Sequence, residues 1–436
     1  MQIKLRGLVI GKKMKIILKC IPFLILLLTW ESIAQWMDFK LTLGGWWINH
    51  ILRAMLPLAF VLYYINYPTK CSKTPAMFKL LFIMLAISTI YGLFMSEGYQ
   101  DYQLMIDKLT AWGLCLGWFY FQNPVNILNV TRSWCIYSIP LFIFLLFFMQ
   151  GEAVGRYFAP FAFLLIFFPY LEKKWKYMVL LAVTLVLIFG ALGARSSILR
   201  FAVSIVLAIA IYYRKIIPNI LIKGIFIMFV VAPMILLYLG ISGWFNVFRI
   251  QEELGWDEYS VQNSFNKNEQ ENLTADTRTF LYVEELQSAV NNNYVLFGRS
   301  LSRGYDSVVI DGIDWKSGRN ERWSCEVRML NVFNYMGLFG VIIVGLVYII
   351  GAYKAVFRSN SFTMQIIGVY VAFRWFYGWI EDFDRFDLIN LYLWIPIIMC
   401  YSIRFLRMTD YDFYCWIQNF SKHQNRKKKC LIKYQG

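Results

Sequence analysis

Apolar stretches recur about a dozen times along this chain, each on the scale of the 18 or more residues a helix needs to cross a bilayer core of about 30 Å. One such stretch suits the buried helix of a water-soluble protein, but a dozen do not. The expected spans are 16–36, 44–65, 76–95, 104–121, 131–149, 157–171, 176–193, 196–213, 220–242, 329–350, 362–380 and 388–403. The span at 157–171 is short and carries Pro160 and Pro169, so a broken helix or a re-entrant pair is expected there. The first span, flanked by Lys12, Lys13 and Lys15, resembles a signal peptide without a small-residue cleavage site and reads as an uncleaved helix. Composition agrees. Only 16% of residues are charged and 59% are hydrophobic, against about 25% charged in soluble domains.

The expected fold is therefore all-α and polytopic, with about 12 transmembrane helices. Residues 1–242 carry helices 1–9, 243–325 form one large loop between helices 9 and 10, 326–403 carry helices 10–12, and 404–436 form a basic tail. The net charge of +16 is sorted by connection. Alternate connections hold Lys4, Arg6, Lys12, Lys13 and Lys15; Lys70 and Lys73; Lys173, Lys174 and Lys176; Arg214 and Lys215; Lys354 and Arg358; and Arg426, Lys427, Lys428 and Lys429. The intervening ones are poorer in Lys and Arg or acidic, with Glu97 and Asp101, Glu152, and Glu381, Asp382 and Asp384. The positive-inside rule then puts both termini in the cytoplasm and the large loop outside. Charge sorted in this way reports topology, and no nucleic-acid partner follows from it. The tail also suits anionic lipid heads. Of eight cysteines only Cys325 falls outside, so no external disulfide within the chain is expected. The two histidines, His50 and His423, form no metal-ligand spacing, and neither a metal nor a cofactor is expected.

The loop holds eight Lys/Arg against thirteen Asp/Glu, and it far exceeds the 12–15 residues or so beyond which loops are usually functional or disordered. "QNSFNKNEQEN" (262–272) reads as flexible. "TADTRTFLYVEELQSAV" (274–290) reads as a helix with Phe280, Val283, Leu286 and Val290 on one stripe. "FGRSLSRG" (297–304) reads as a Gly-bounded turn with two arginines. Three arginines fall within expected spans: Arg53 near mid-depth, and Arg200 and Arg374 nearer the outer end. A charge at the bilayer centre costs at least about 2.5–3.5 kcal/mol, so such residues face a cavity or a partner, or snorkel to head groups. With Arg195 in "FGALGARSSILRF" (189–201) just above Arg200, the set points to a polar cavity open to the outer leaflet. Guanidinium forks match phosphate oxygens, so a lipid-linked phosphate or pyrophosphate is the expected ligand.

Three segments in order resemble the O-antigen polymerase and O-antigen ligase superfamily: "GARSSIL", "TRTFLYVEELQSAVNNNYVLFGRSLSRG", and "EVRMLNVFNYMGLFGVIIVGL" with Gly337-Leu338-Phe339-Gly340. The likeness covers positions 176 to 350. It implies a GT-C-like fold in the bacterial inner membrane and metal-independent transfer of undecaprenyl-pyrophosphate-linked oligosaccharide at the periplasmic face. A chain-length regulator is a further expected partner. The ligase pattern has a His eleven residues before that first Gly, where this chain has Glu326, so a polymerase is the better match. The rival from another class is a flippase for lipid-linked sugars, but no paired repeat across two halves supports it.

On this resemblance Arg195 and Arg278 are the main expected pyrophosphate ligands, with Arg299, Arg303, Arg200 and Arg328 behind them. Glu326 is the expected catalytic base, and Tyr305 and Trp323 are expected to stack on sugars. Plainer readings compete. If 320–330 were helical, Arg322 and Glu326 would form an i,i+4 surface pair. Arg278 could cap a helix or pair with Glu285, Arg299 and Arg303 could be solvated charges, and Trp and Tyr are common at membrane interfaces. "DFD" at 382–384 has the Asp-x-Asp spacing of metal-dependent glycosyltransferases, but the α/β domain that carries it in those enzymes is not encoded here.

Overall fold

Among the described residues, five helices are long and apolar enough to cross a bilayer: Ile48–Asn66, Ala76–Met95, Pro124–Phe148, Asn219–Ser242 and Arg328–Arg358. Large apolar side chains face outward from them, including Phe94 at 82%, Phe147 at 81% and Ile220 at 79% exposure. On helices of this length, a lipid environment covers such a surface without penalty. The chain is thus an all-α, multi-pass membrane protein. The computed structural model describes residues 20–37, 46–68, 71–149, 151–189, 195–242, 244–246, 260–262, 270–272, 278–307 and 319–420.

In chain order the helices are α1 (Ile21–Ile33), α2 (Trp46–Asn66), α3 (Ala76–Met95), α4 (Tyr99–Trp112), α5 (Trp118–Phe121), α6 (Pro124–Leu145), α7 (Gly151–Tyr157), α8 (Ala159–Ile166) and α9 (Lys173–Phe189). They continue with α10 (Arg195–Tyr212), α11 (Asn219–Ser242), α12 (Thr279–Asn291), α13 (Arg328–Arg358), α14 (Phe362–Tyr377), α15 (Leu388–Tyr401), α16 (Ile403–Leu406) and α17 (Asp410–Gln418). Among the described residues of the large loop, two antiparallel ladders form: β1 (Ser260–Gln262) with β2 (Gln270–Asn272), and β3 (Tyr305–Asp306) with β4 (Glu321–Arg322).

Local chemistry explains several boundaries. Asn123 caps α6 by accepting from Val125 N at 3.1 Å, with Pro124 at the first helical position. Ser361 caps α14 through Met364 N at 3.2 Å, and Asp387 caps α15 through Asn390 N at 2.8 Å. α15 is buried on every side, and α13 and α14 pack against it as the centre of the bundle. An all-apolar helix in that position is what a bundle core demands.

Most expected spans appear as helices, but those at 104–121 and 157–171 are interrupted and 329–350 breaks at Gly337. The 104–121 span is not continuous, because α4 ends at Trp112 and Gly113–Gly117 tightens into a 3-10 turn before α5. A Cβ on Gly113 would lie 2.9 Å from Pro57 Cγ of α2, so the glycine permits that close crossing. The 157–171 span is broken as Pro160 and Pro169 require, into α8 and a 3-10 turn over Phe168–Tyr170. The ends of the 262–272 stretch, expected to be flexible, pair as β1 and β2.

Sidedness of charge survives in three dimensions. The acidic connections join the large loop at one end, through Arg303 to Glu97 and Arg278 to Glu381. Arg214, Tyr170, Thr363 and Asp410 meet at the other end, with Arg214 Nη1 donating to Tyr170 at 2.5 Å. Arg53 is satisfied within the bundle by Glu31 at 2.7 Å and Asp107 at 2.5 Å.

Candidate functional site

Two glycine motifs that are far apart in sequence form one joint. α13 breaks at Gly337, where φ is 62° and ψ is −163°, and the 294–299 backbone fills the gap. Leu338 N donates to Val295 O at 2.9 Å, Phe339 N to Leu296 O at 3.2 Å, and Arg299 N to Asn334 O at 2.6 Å. Ser88 Oγ donates to the freed Tyr335 carbonyl at 2.7 Å. Gly298, at φ 78°, faces Gly337 so closely that a Cβ on either would overlap the other segment's backbone. "FGRSLSRG" and Gly337-Leu338-Phe339-Gly340 thus bring Arg299, Arg303 and Arg328 to the loop end of the bundle.

Arg299 and Arg303 are engaged there by carboxylates. Arg303 Nη2 pairs with Glu321 at 2.5 Å and its Nη1 with Glu97 at 2.9 Å. Arg299 pairs with Asp306 at 2.7 Å and Glu321 at 3.3 Å. Arg319 joins through Glu97 at 3.0 Å and through Asp101. Burial pushes the Arg303 pKa down, but Glu321 and Glu97 more than offset it and the net direction is up. For Asp306, burial acts upward and hydrogen bonds from Arg299 and Asn292 carry it below its ordinary value. The group is a clasp between the large loop and the α3–α4 connection.

The 381–387 connection closes over the centre of the bundle. Arg328 is fully buried, and its Nη1 lies 2.6 Å from Asp384 Oδ1, with no N–H aligned for a hydrogen bond. Phe383 sits between two guanidiniums, 4.7 Å from Arg328 and 4.0 Å from Arg374. Trp112 lies 5.1 Å from Arg328. Burial raises the Asp384 carboxyl to about 7, against the downward pull of Arg328. Glu381 is raised by burial too, with Arg278 opposing. Among the described residues no group of three His, Cys, Asp or Glu is placed to hold a metal ion. The Asp382 side chain instead accepts from Asp384 N at 3.0 Å.

An arginine cluster lies beside this connection. α10 approaches α7 at Gly155, where a Cβ would come within 2.6 Å of Ser197 Cβ. That approach lets buried Arg200 Nη1 donate to Gly155 O at 3.4 Å. Arg374 of α14 and Arg156 of α7 are its charged neighbours. Arg156 stacks 3.8 Å over Trp36 and pairs with Asp387 at 3.5 Å. Arg278, at the start of α12, pairs with Glu381 at 3.1 Å rather than with Glu285. Glu285 is buried, and burial holds its carboxyl well above the ordinary range despite a 3.4 Å hydrogen bond from Tyr294. Glu326 is exposed, close enough to Glu381 for the two charges to interact. Residues 323–327 are not helical and Arg322 lies in β4, so the i,i+4 geometry for Arg322 and Glu326 is absent.

An apolar groove of about 320 Å³ has Thr279 and Ile380 in its lining, the chain neighbours of Arg278 and Glu381. Leu237 and Ile241 of α11, Val283 and Leu286 of α12, and Phe376 and Ile380 line it. The stripe expected on 274–290 exists but faces outward, with Val283 48%, Leu286 45% and Val290 66% exposed. The buried face of α12 instead carries Leu281, Glu284, Glu285, Ser288 and Ala289. A helix with its apolar stripe turned out at the end of a membrane bundle suits the lipid interface.

Of the expected site residues, Arg200, Arg278 and Glu326 gather at this end around Glu381 and Tyr377. Arg299 and Arg303 belong to the clasp, and Arg328 to the Asp384 pair. Arg195 opens α10, five residues before Arg200, and its side chain lies outside the described residues. Tyr305 is buried against Leu281, Cys325 and Val327, and Trp323 is half-buried. Arg156, Arg374 and Glu381 complete the cluster. The signal for Arg374 was its intramembrane charge, and for Glu381 the acidic connection; Arg156 had none beyond its proximity to Glu152. No family model, no curated protein and no solved structure matches this chain.

Proposed function

We propose that this chain is a GT-C-like glycan polymerase of the bacterial inner membrane, with its loop end facing the periplasm. The observation that carries this reading is the convergence of Arg200, Arg278 and Arg374 around Tyr377 and of exposed Glu326 near Glu381, beside an apolar groove lined by the chain neighbours of Arg278 and Glu381. A polyprenyl tail lies in the groove and its pyrophosphate meets Arg278. The acceptor hydroxyl attacks the anomeric carbon, the bond from that carbon to the pyrophosphate oxygen breaks, and the electron pair stays on the departing phosphate. Cations already in place for that charge supply what is often the largest catalytic contribution. Glu326 takes the hydroxyl proton, an effect of typically about 10²–10⁴-fold. Its exposed position suits a large acceptor glycan arriving from the aqueous side.

The test is a deletion strain carrying the gene as wild type, Arg278→Ala or Glu326→Ala, with membrane levels checked and surface polysaccharide run on a gel. Wild type restores a ladder, and each variant leaves a single repeat unit on the lipid core. Loss of the single-unit band as well would replace this reading with export or ligation. A normal ladder from both variants would refute it.

A further inference from the structure

At the end of the bundle away from the large loop, beside the Thr363–Asp410 contact, three cations group together. Lys223 lies one turn into α11, and Lys354 and Arg358 lie one turn apart at the end of α13. Among the described residues none of the three has a carboxylate within 4 Å, whereas Arg156, Arg278, Arg299, Arg303 and Arg319 at the loop end each have one. Two of the three are held in place by aromatic rings. Lys223 Nζ sits 5.5 Å over Phe357, and the Arg358 guanidinium 5.6 Å over Tyr353. Those two rings stack on each other at 4.9 Å, and buried Phe226 of α11 packs edge-on against Phe357 at 5.6 Å. The stacked pair is thus a floor between a cation of α11 and a cation of α13. That floor is open, with Tyr353 42% and Phe357 38% exposed. Lys354 lies 4.6 Å over Tyr401, close enough to Arg358 for the like charges to repel. Ile220 and Ile227 share the stripe of Lys223 on α11 and face outward at 79% and 54% exposure.

We propose that this face of α11 and α13 binds an anionic phospholipid of the adjoining leaflet, one with two phosphodiester groups on a short linker, as in diphosphatidylglycerol. Basic residues between transmembrane helices, with aromatic rings at the same level, suit lipid head groups. Charge sets the class. A zwitterionic head brings no net charge. One phosphodiester brings a single negative charge, which serves one side of the aromatic floor. Two linked phosphodiesters bring one charge to Lys223 and one to Arg358 and Lys354, so a single molecule spans both helices. Its acyl chains lie along the outward apolar stripe of α11. Of the five long helices α11 is the least buried, so a lipid that ties it to α13 fastens the helix that the bundle holds least. The site stands at the opposite end from the proposed catalytic one and does not depend on that reading.

The test follows thermal unfolding of the full chain in phosphatidylcholine nanodiscs doped with diphosphatidylglycerol or with phosphatidylglycerol at equal phosphate content. Diphosphatidylglycerol is expected to raise the midpoint saturably, and at a lower dose than phosphatidylglycerol needs. Lys223→Gln and Arg358→Gln should each raise its half-saturating dose by about fivefold, the worth of one basic residue near an anionic head group. Lys223→Arg should keep the response. Lys174→Gln, an exposed change on α9 at the same end of the bundle, should leave it as in wild type. The same dose for both lipids at matched phosphate, or a loss in Lys174→Gln as large as in Lys223→Gln, would reduce the face to an unselective basic surface and overturn the site. Inorganic pyrophosphate raising the midpoint as far as the lipid would assign a soluble ligand and overturn the lipid. No response to either lipid would overturn both. Should a variant fail to fold, native mass spectrometry of wild type decides: one diphosphatidylglycerol retained per chain in preference to phosphatidylglycerol supports the site, and equal retention refutes it.

Discussion

Gly337→Ala strikes the joint that sets up the loop end of the protein. At φ 62° and ψ −163° the backbone sits in a region essentially reserved for glycine, and placing a residue with a Cβ there costs about 1–3 kcal/mol. The added Cβ would also come within 2.5 Å of Gly298 N and overlap the Leu296 carbonyl, and overpacking of this kind costs typically about 1–3 kcal/mol more. The sum is about 2–6 kcal/mol, and relief requires moving the 294–299 backbone away from Leu338 and Phe339. Gly298→Ala should behave alike, and the double variant should be less than additive because both act on one contact. Gly224→Ala in α11 is the control, since a Cβ there meets nothing within 4 Å. The assay is equilibrium unfolding in mixed detergent micelles. Gly337→Ala and Gly224→Ala unfolding at the same denaturant fraction would refute the argument.

Other sites give separate checks. Glu321→Ala removes the carboxylate shared by Arg299, Arg303 and Arg319; unfolding in the same micelles should show a loss of about 3 kcal/mol or more. Because burial raises Asp384 from 3.8 to about 7, its contribution to stability is full below the lower value and lost as pH rises through the upper one. Wild type should therefore weaken between about pH 4 and pH 7, and Asp384→Asn should flatten that slope in a pH series of unfolding curves. Gly155→Ala forces α7 from Ser197, and should lower the unfolding midpoint in the same micelles.

The bundle was legible because lipid demands long apolar helices, and the alternation of charge along the connections anticipated which connections meet. Breaks were legible only where proline announced them. The one at Gly113–Gly117 accompanies a close crossing with Pro57, which is distant in sequence, and the one at Gly337 accompanies a close approach of Gly298. Arg200, Arg278 and Glu326 were found as isolated signals, but their partners are tertiary: nothing in the order of residues pairs Arg278 with Glu381 instead of Glu285. Arg303 looked like a free cation in a loop because Glu97 lies some two hundred residues earlier, and Arg299 because nothing in the order of residues pairs it with Asp306 and Glu321. The Asp-x-Asp motif was legible as a spacing only. Its use, with Asp384 facing Arg328 and Phe383 between two arginines, comes from packing.

The central claim is that this chain moves a glycan from a lipid pyrophosphate to a hydroxyl acceptor. The most direct measurement incubates the purified protein in nanodiscs with a polyprenyl-pyrophosphate-linked repeat unit, and follows product length and release of polyprenyl pyrophosphate by mass spectrometry. Dimers and longer products are expected, with one lipid pyrophosphate released per bond formed and with Arg278→Ala and Glu326→Ala both deficient. Intact substrate after incubation with folded wild-type protein, or release of lipid pyrophosphate without any longer glycan, would contradict the claim.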